Sequence, residues 1–118
     1  MQRLLNAFRH SARAFDLLIR SERAFQEEAA LFVLAIPLAY LLSTSWLGFA
    51  MLLASILFLM LVEVLNTAIE ATCNAVTRDF RPEIKLAKDC GSLAVLIAII
   101  LTAGIWIGAL VQRIALLA

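Results

Sequence analysis

The sequence predicts an all-α membrane protein. An amphipathic surface helix at residues 1–21 is followed by transmembrane helices at about 29–46, 47–69 and 93–111, all within one domain spanning 1–118. Three observations predict it. Of the 118 residues, 64% are hydrophobic and only 16% charged, and the mean hydropathy is +0.96, too apolar for a soluble domain of this size. Three apolar stretches approach the roughly 20 residues that a membrane span requires. The segment ahead of them segregates its polar and apolar residues at helical period.

In that first segment, about 100° per residue puts Leu4, Leu5, Phe8, Ala12, Phe15, Leu18 and Ile19 on one face and Asn6, Arg9, Arg13, Asp16 and Arg20 on the other. Such a helix suits an anionic leaflet, with its apolar face in the acyl boundary; packing on the protein's own core is the alternative. It does not read as a secretory signal peptide, because Arg3, Arg9 and Arg13 interrupt any apolar run and no small-residue cleavage site follows. The first span runs from Ala29 toward Trp46, with Pro37 as a possible kink. The turn "STS" at 43–45 then makes the first two spans an antiparallel hairpin. "RDFRPEIKLAKD" at 78–89 reads as a loop and a short polar helical lead-in to the third span, where Trp106 is expected as an interfacial anchor.

Basic residues set the expected orientation. Arg3, Arg9, Arg13, Arg20 and Arg23 precede the first span, and Arg78, Arg81, Lys85 and Lys88 lie between the second and third. The turn has none and the C-terminus only Arg113. The positive-inside rule therefore expects a cytoplasmic N-terminus and 71–89 loop, with the C-terminus on the outer, periplasmic side of an inner membrane. A net charge of +1 and no basic stripe interleaved with aromatics argue against nucleic acid as a partner. Cys73 and Cys90 lack CxxC spacing and are expected to be reduced structural thiols.

The chemistry gathers in "EVLNTAIEATCN" at 63–74. On a helix Glu63, Asn66, Glu70 and Asn74 sit at roughly 0°, 300°, 340° and 20°, one narrow stripe, with Glu63 about 10 Å deeper than Glu70. An intramembrane carboxylate is costly, about 2.5 to 3.5 kcal/mol on insertion scales, and marks a functional site by default. For Asn74, Thr67 and Thr72 the plainer reading is interhelical hydrogen bonding, and Asn66 falls between the two readings. Lys88 and Asp89 at the entrance to the third span fit either a phosphate site or a solvated charge pair. Glu22 and Glu28, six residues apart, would lie about 120° from one another on a continuous helix, so only one would face the stripe unless the helix breaks between them. His10 is the lone histidine, which disfavours zinc, whereas several carboxylates suit Mg²⁺ held with waters and substrate phosphates. No P-loop, soluble-kinase signature or serine-hydrolase elbow is present.

The segments "EVLNTAIEA" at 63–71 and "AKDCGSLAVLIAII" at 87–100, with "SERAFQEE" at 21–28, resemble the small bacterial membrane diacylglycerol kinases and their undecaprenol kinase relatives. The resemblance covers most of the chain. It implies an ATP- and Mg²⁺-dependent lipid kinase, a homotrimer with composite sites built from neighbouring protomers. Glu63 would be the general base on the lipid hydroxyl, and Glu22 and Glu70 would hold the metal. Arg3, His10, Asn66, Lys88 and Asp89 would complete the nucleotide site, and Glu28 and Glu27 would support it. Five positions depart from the best-known members: Asn74 replaces an aspartate and Glu27 a glutamine. Asn6, Phe8 and His10 replace a lysine, a small residue and a tyrosine. The expected reaction is transfer of the γ-phosphate of ATP to diacylglycerol, giving phosphatidic acid. Undecaprenol is the alternative acceptor; a small proton- or cation-coupled transporter and a purely structural membrane subunit are readings of other classes.

Overall fold

The computed structural model describes residues 1–118 as four helices: α1 (Gln2–Ser21), α2 (Arg23–Leu42), α3 (Trp46–Val76) and α4 (Pro82–Leu117). The last three are long and apolar enough to cross a membrane. There is no strand.

Each of the three apolar helices extends past its expected span at one end or both. α2 begins at Arg23, ahead of the expected 29, and ends at Leu42, so Trp46 belongs to α3 and not to the first span. α3 continues to Val76, past the expected limit of 69, and α4 starts at Pro82, well before 93. Hydropathy marks the part of a helix that suits a bilayer, whereas the backbone ladder continues until a residue breaks it. α2 is helical straight through Pro37. Between α2 and α3, Ser45 caps the new helix by accepting from the Gly48 N–H at 3.0 Å. Thr77 then leaves α3 with extended backbone, Thr77 Oγ1 accepts from the Asp79 N–H at 3.0 Å, and Pro82 opens α4 at its first turn, where its missing N–H costs nothing.

α3 and α4 form the main packing pair, with α2 against the other flank of α3. The α3 seam repeats every seven residues, through buried Leu52, Leu59, Asn66 and Cys73. On α4 the same interval separates the buried Gly91 and Ala98, small residues of the kind that let membrane helices approach closely. Toward the 43–45 turn, a polar cluster ties the pair together. Thr102 Oγ1 donates to the Ser55 carbonyl at 3.1 Å, and Trp106 Nε1 donates to Ser55 Oγ at 3.1 Å. Trp106 therefore faces α3 rather than serving as the expected interfacial anchor. The aromatic grouping at that end is exposed Tyr40 and Trp46 around half-buried Phe49, with edge-on ring contacts of 6.3 and 5.7 Å.

α1 buries no residue. It meets α2 at the Phe15–Phe25 edge-to-face contact, with centroids 5.5 Å apart. Between these helices Glu22 alone is extended, at φ −104° and ψ 111°, and serves as the N-cap residue of α2. Cys73 is buried, Cys90 is exposed, and both are free thiols.

Candidate active site

The break at Glu22 decides the geometry of the site. On a continuous helix Glu22 and Glu28 could not both face α3; because the chain turns at Glu22 itself, both do. Glu22 lines an open cleft of about 470 Å³ with Thr67, Glu70, Ala71, Asn74, Ala75 and Arg78. Glu28, six residues further along, repels Glu63 across the α2–α3 contact, and Glu63 in turn repels Glu70 and Glu22. None of these four carboxylates is in an ion pair. Glu28 Oε1 is buried without a hydrogen-bond partner. Four neighbouring carboxylates left without a cation are an expensive arrangement for a folded chain.

Asn66, expected between the two glutamates of the stripe, is on the α3 seam with 9% of its surface exposed. Its Oδ1 is buried and unpartnered. Asn74 does cross to another helix, since its Oδ1 accepts from Lys88 Nζ at 2.9 Å. Thr67 and Thr72 do not: each hydroxyl donates back to its own helix, to the Glu63 and Ala68 carbonyls at 3.0 and 2.7 Å. Lys88 and Asp89, neighbours in sequence, part company. Asp89 is taken by Lys85 at 2.7 Å, leaving Lys88 with the neutral Asn74 and its full positive charge. An amide acceptor orients the ammonium without cancelling it.

Three expected residues lie away from this cluster within the chain. Glu27 pairs outward with Arg23 at 3.1 Å. Arg3 and His10 are exposed on α1, about 28 and 18 Å along the helix from Glu22 at 1.5 Å per residue. Arg78 is a residue that the stripe did not include. It lines the Glu22–Glu70 cleft and also a neighbouring one of about 330 Å³ that contains Arg81, Lys85, Lys88 and Asp89. It lies two residues past the end of α3, beyond the extended Thr77, where helical spacing no longer assigns a face.

No three His, Cys, Asp or Glu side chains come together as a complete protein cage for a metal. The donor set fits Mg²⁺ all the same. Glu22 and Glu70 offer hard oxygens to one open cleft, and Mg²⁺ is commonly bound by one or two carboxylates, with phosphates and waters filling the remaining positions.

A helical membrane protein with an acidic cleft beside a free lysine and arginine is a candidate for phosphoryl chemistry, and comparison with known proteins identifies the family. The profile described as prokaryotic diacylglycerol kinase matches residues 9–110. The chain is 39% identical over 106 residues to the diacylglycerol kinase of Pseudomonas aeruginosa, covering 90% of this chain and 86% of that one. It is 34% identical over 104 residues to the diacylglycerol kinase of Escherichia coli K12, at 88% and 85% coverage, and 29% identical over 107 residues to that of Haemophilus influenzae, at 91% of each. This chain belongs to the prokaryotic diacylglycerol kinase family. It is thus a lipid kinase of a multi-pass inner-membrane type.

Proposed function

We propose that the protein transfers the γ-phosphate of ATP to the free hydroxyl of diacylglycerol, giving phosphatidic acid and ADP. The observation that carries this reading is the carboxylate set along α2 and α3, none of it in an ion pair, which runs from the open Glu22–Glu70 cleft down to Glu63. A water-soluble donor reaches the open end. A lipid hydroxyl approaching through the bilayer reaches the other.

Glu63 accepts the proton of the lipid hydroxyl as that oxygen attacks the γ-phosphorus; the bond from phosphorus to the β–γ bridging oxygen breaks and ADP leaves. Glu28 beside it supports the site through the cluster's shared charge. Glu22 and Glu70 would hold Mg²⁺, which supplies charge neutralisation on the phosphates when bound. Asn66 and Lys88 contact phosphate oxygens, with Lys88 held by Asn74 and free of Asp89. Asp89 lies beside the nucleotide, and Arg78 adds a guanidinium at the cleft wall.

Arg3 and His10 act at the nucleotide end of a neighbouring protomer's site in a homotrimer, and Glu27 supports that site. Two features support that assembly: the N-terminal half of α1 is distant from its own cleft, and α1 buries nothing within the chain. The orientation has the N-terminus and the 71–89 loop in the cytoplasm, where ATP is, and the C-terminus in the periplasm.

The test is phosphorylation in mixed micelles with labelled ATP and Mg²⁺, offering diacylglycerol and undecaprenol separately. Label in phosphatidic acid is the expected result, falling by about 10²- to 10⁴-fold in Glu63→Gln. Wild-type protein that labels neither lipid would sink the reading; preferential labelling of undecaprenol would replace the acceptor.

A further inference from the structure

Asn66 and Gly91 face each other across the α3–α4 seam in a way that the reaction above does not account for. Gly91 is buried in the middle of a long helix, where glycine is less favourable than alanine by about 1 kcal/mol. A Cβ at Gly91 would collide with Asn66 Oδ1 and stand 3.2 Å from Asn66 Cγ, while the next contact, with the flexible Ile69 Cδ1 at 3.8 Å, is ordinary. All three neighbours are side-chain atoms. The space at this glycine is therefore taken first of all by the Asn66 amide group. Gly104 and Gly108 of the same helix have nothing within 4 Å of such a Cβ.

The amide so accommodated is asymmetric. Oδ1 is buried without a partner, whereas Nδ2 is neither shut away in that manner nor hydrogen-bonded within the chain. A seam asparagine kept only for helix register would be expected to bond across the interface. This one leaves its acceptor idle and its donors available, and Glu63 and Glu70 are three and four residues away on the same stripe.

We propose that Gly91 is a positioning residue for phosphoryl transfer: the space at its α-carbon lets the Asn66 carbonyl lodge in the seam, which turns the Asn66 NH₂ outward as a donor to a phosphate oxygen. The inference rests on the lipid-kinase reading for its activity arm only.

The experiment is a double-mutant cycle of Gly91→Ala and Asn66→Ala, with Gly104→Ala as the control, in the full-length protein in detergent. Gly91→Ala and Asn66→Ala should each lower kcat by roughly ten- to a hundredfold, the loss of one hydrogen bond to a charged group. The double variant should be no worse than Asn66→Ala alone, and Gly104→Ala should match wild type. Additive losses in kcat would overturn the proposal, because a glycine that served only helix packing would cost the same whatever occupies position 66.

Two readouts need no activity. The Tm of Gly91→Ala should fall and recover in the double variant, since Asn66→Ala removes the atoms the new methyl meets. In ¹⁵N-asparagine-labelled protein the Asn66 side-chain NH₂ resonances, assigned by their loss in Asn66→Ala, should shift in Gly91→Ala and stay in place in Gly104→Ala. Unmoved resonances, or a Tm loss that persists in the double variant, count against the proposal. A wild-type protein that transfers no phosphate would refute the kinase reading while these two readouts still decide the Asn66–Gly91 pairing.

Discussion

The two ends of the α3–α4 pair solve the problem of polar groups in a membrane helix in opposite ways. Toward the 43–45 turn, Ser55, Thr102 and Trp106 bond to one another and to backbone carbonyls. Toward the 77–81 loop, Asn66 Oδ1 is buried without a partner, as is Glu28 Oε1 on the adjoining α2, and Glu63 is surrounded by like charge. The same two helices thus carry a satisfied cluster that holds them in register and an unsatisfied one that stores electrostatic cost. On the function proposed above, the unsatisfied end is the catalytic one and the satisfied end holds the helices in register.

The largest expected effect that would break this comparison concerns the acidic end. Glu63→Gln, in addition to losing transfer, should melt no lower than wild type in detergent, because it removes one of several mutually repelling carboxylates. A clear drop in Tm would mean that Glu63 stabilises the fold. Next in size, Lys88→Ala should lower kcat/KM for ATP by roughly ten- to a hundredfold, the value of one hydrogen bond to a charged phosphate, with little change in Tm. A matching loss of stability would instead assign the Lys88–Asn74 bond to the structural end of the comparison.

Trp106→Phe should do the reverse. It deletes the donor to Ser55 while keeping most of the apolar bulk, so it should cost about 0.6 to 2 kcal/mol of stability and leave kcat unchanged. The smallest effect is expected at Arg78, which is exposed. Arg78→Ala should raise the KM for ATP only a few-fold, a change that shrinks further as salt is added. A KM that is insensitive to the substitution at low salt would remove Arg78 from the cleft.

The stripe of Glu63, Asn66, Glu70 and Asn74 was legible because helix periodicity is a local property, and α3 is helical across all four. The division of labour within it was not legible. Asn74 and Thr67 read alike in sequence, yet one bridges to Lys88 and the other bonds to its own backbone four residues back. Arg78 went unassigned because it follows the extended Thr77, outside the helical period that defines the stripe. Lys88 and Asp89 suggested a pair by adjacency. Successive helical residues point about 100° apart, so Asp89 turns to Lys85, one turn back, and Lys88 to the neighbouring helix.

The sequence by itself determined that the chain is helical, that three of its helices are apolar enough to span a bilayer, and that polar groups line one face of α3. Composition and period are properties of each segment alone, and they survive any arrangement of the segments. The first helix was expected to end at residue 21, but only the tertiary structure decided that α2 starts directly after Glu22, so that Glu22 and Glu28 both reach α3. Only it brought Gly91 against Asn66 and Lys88 against Asn74. Those pairings depend on the register of two long antiparallel helices, and that register is set by side chains such as Ser55 and Trp106, fifty residues apart in the chain.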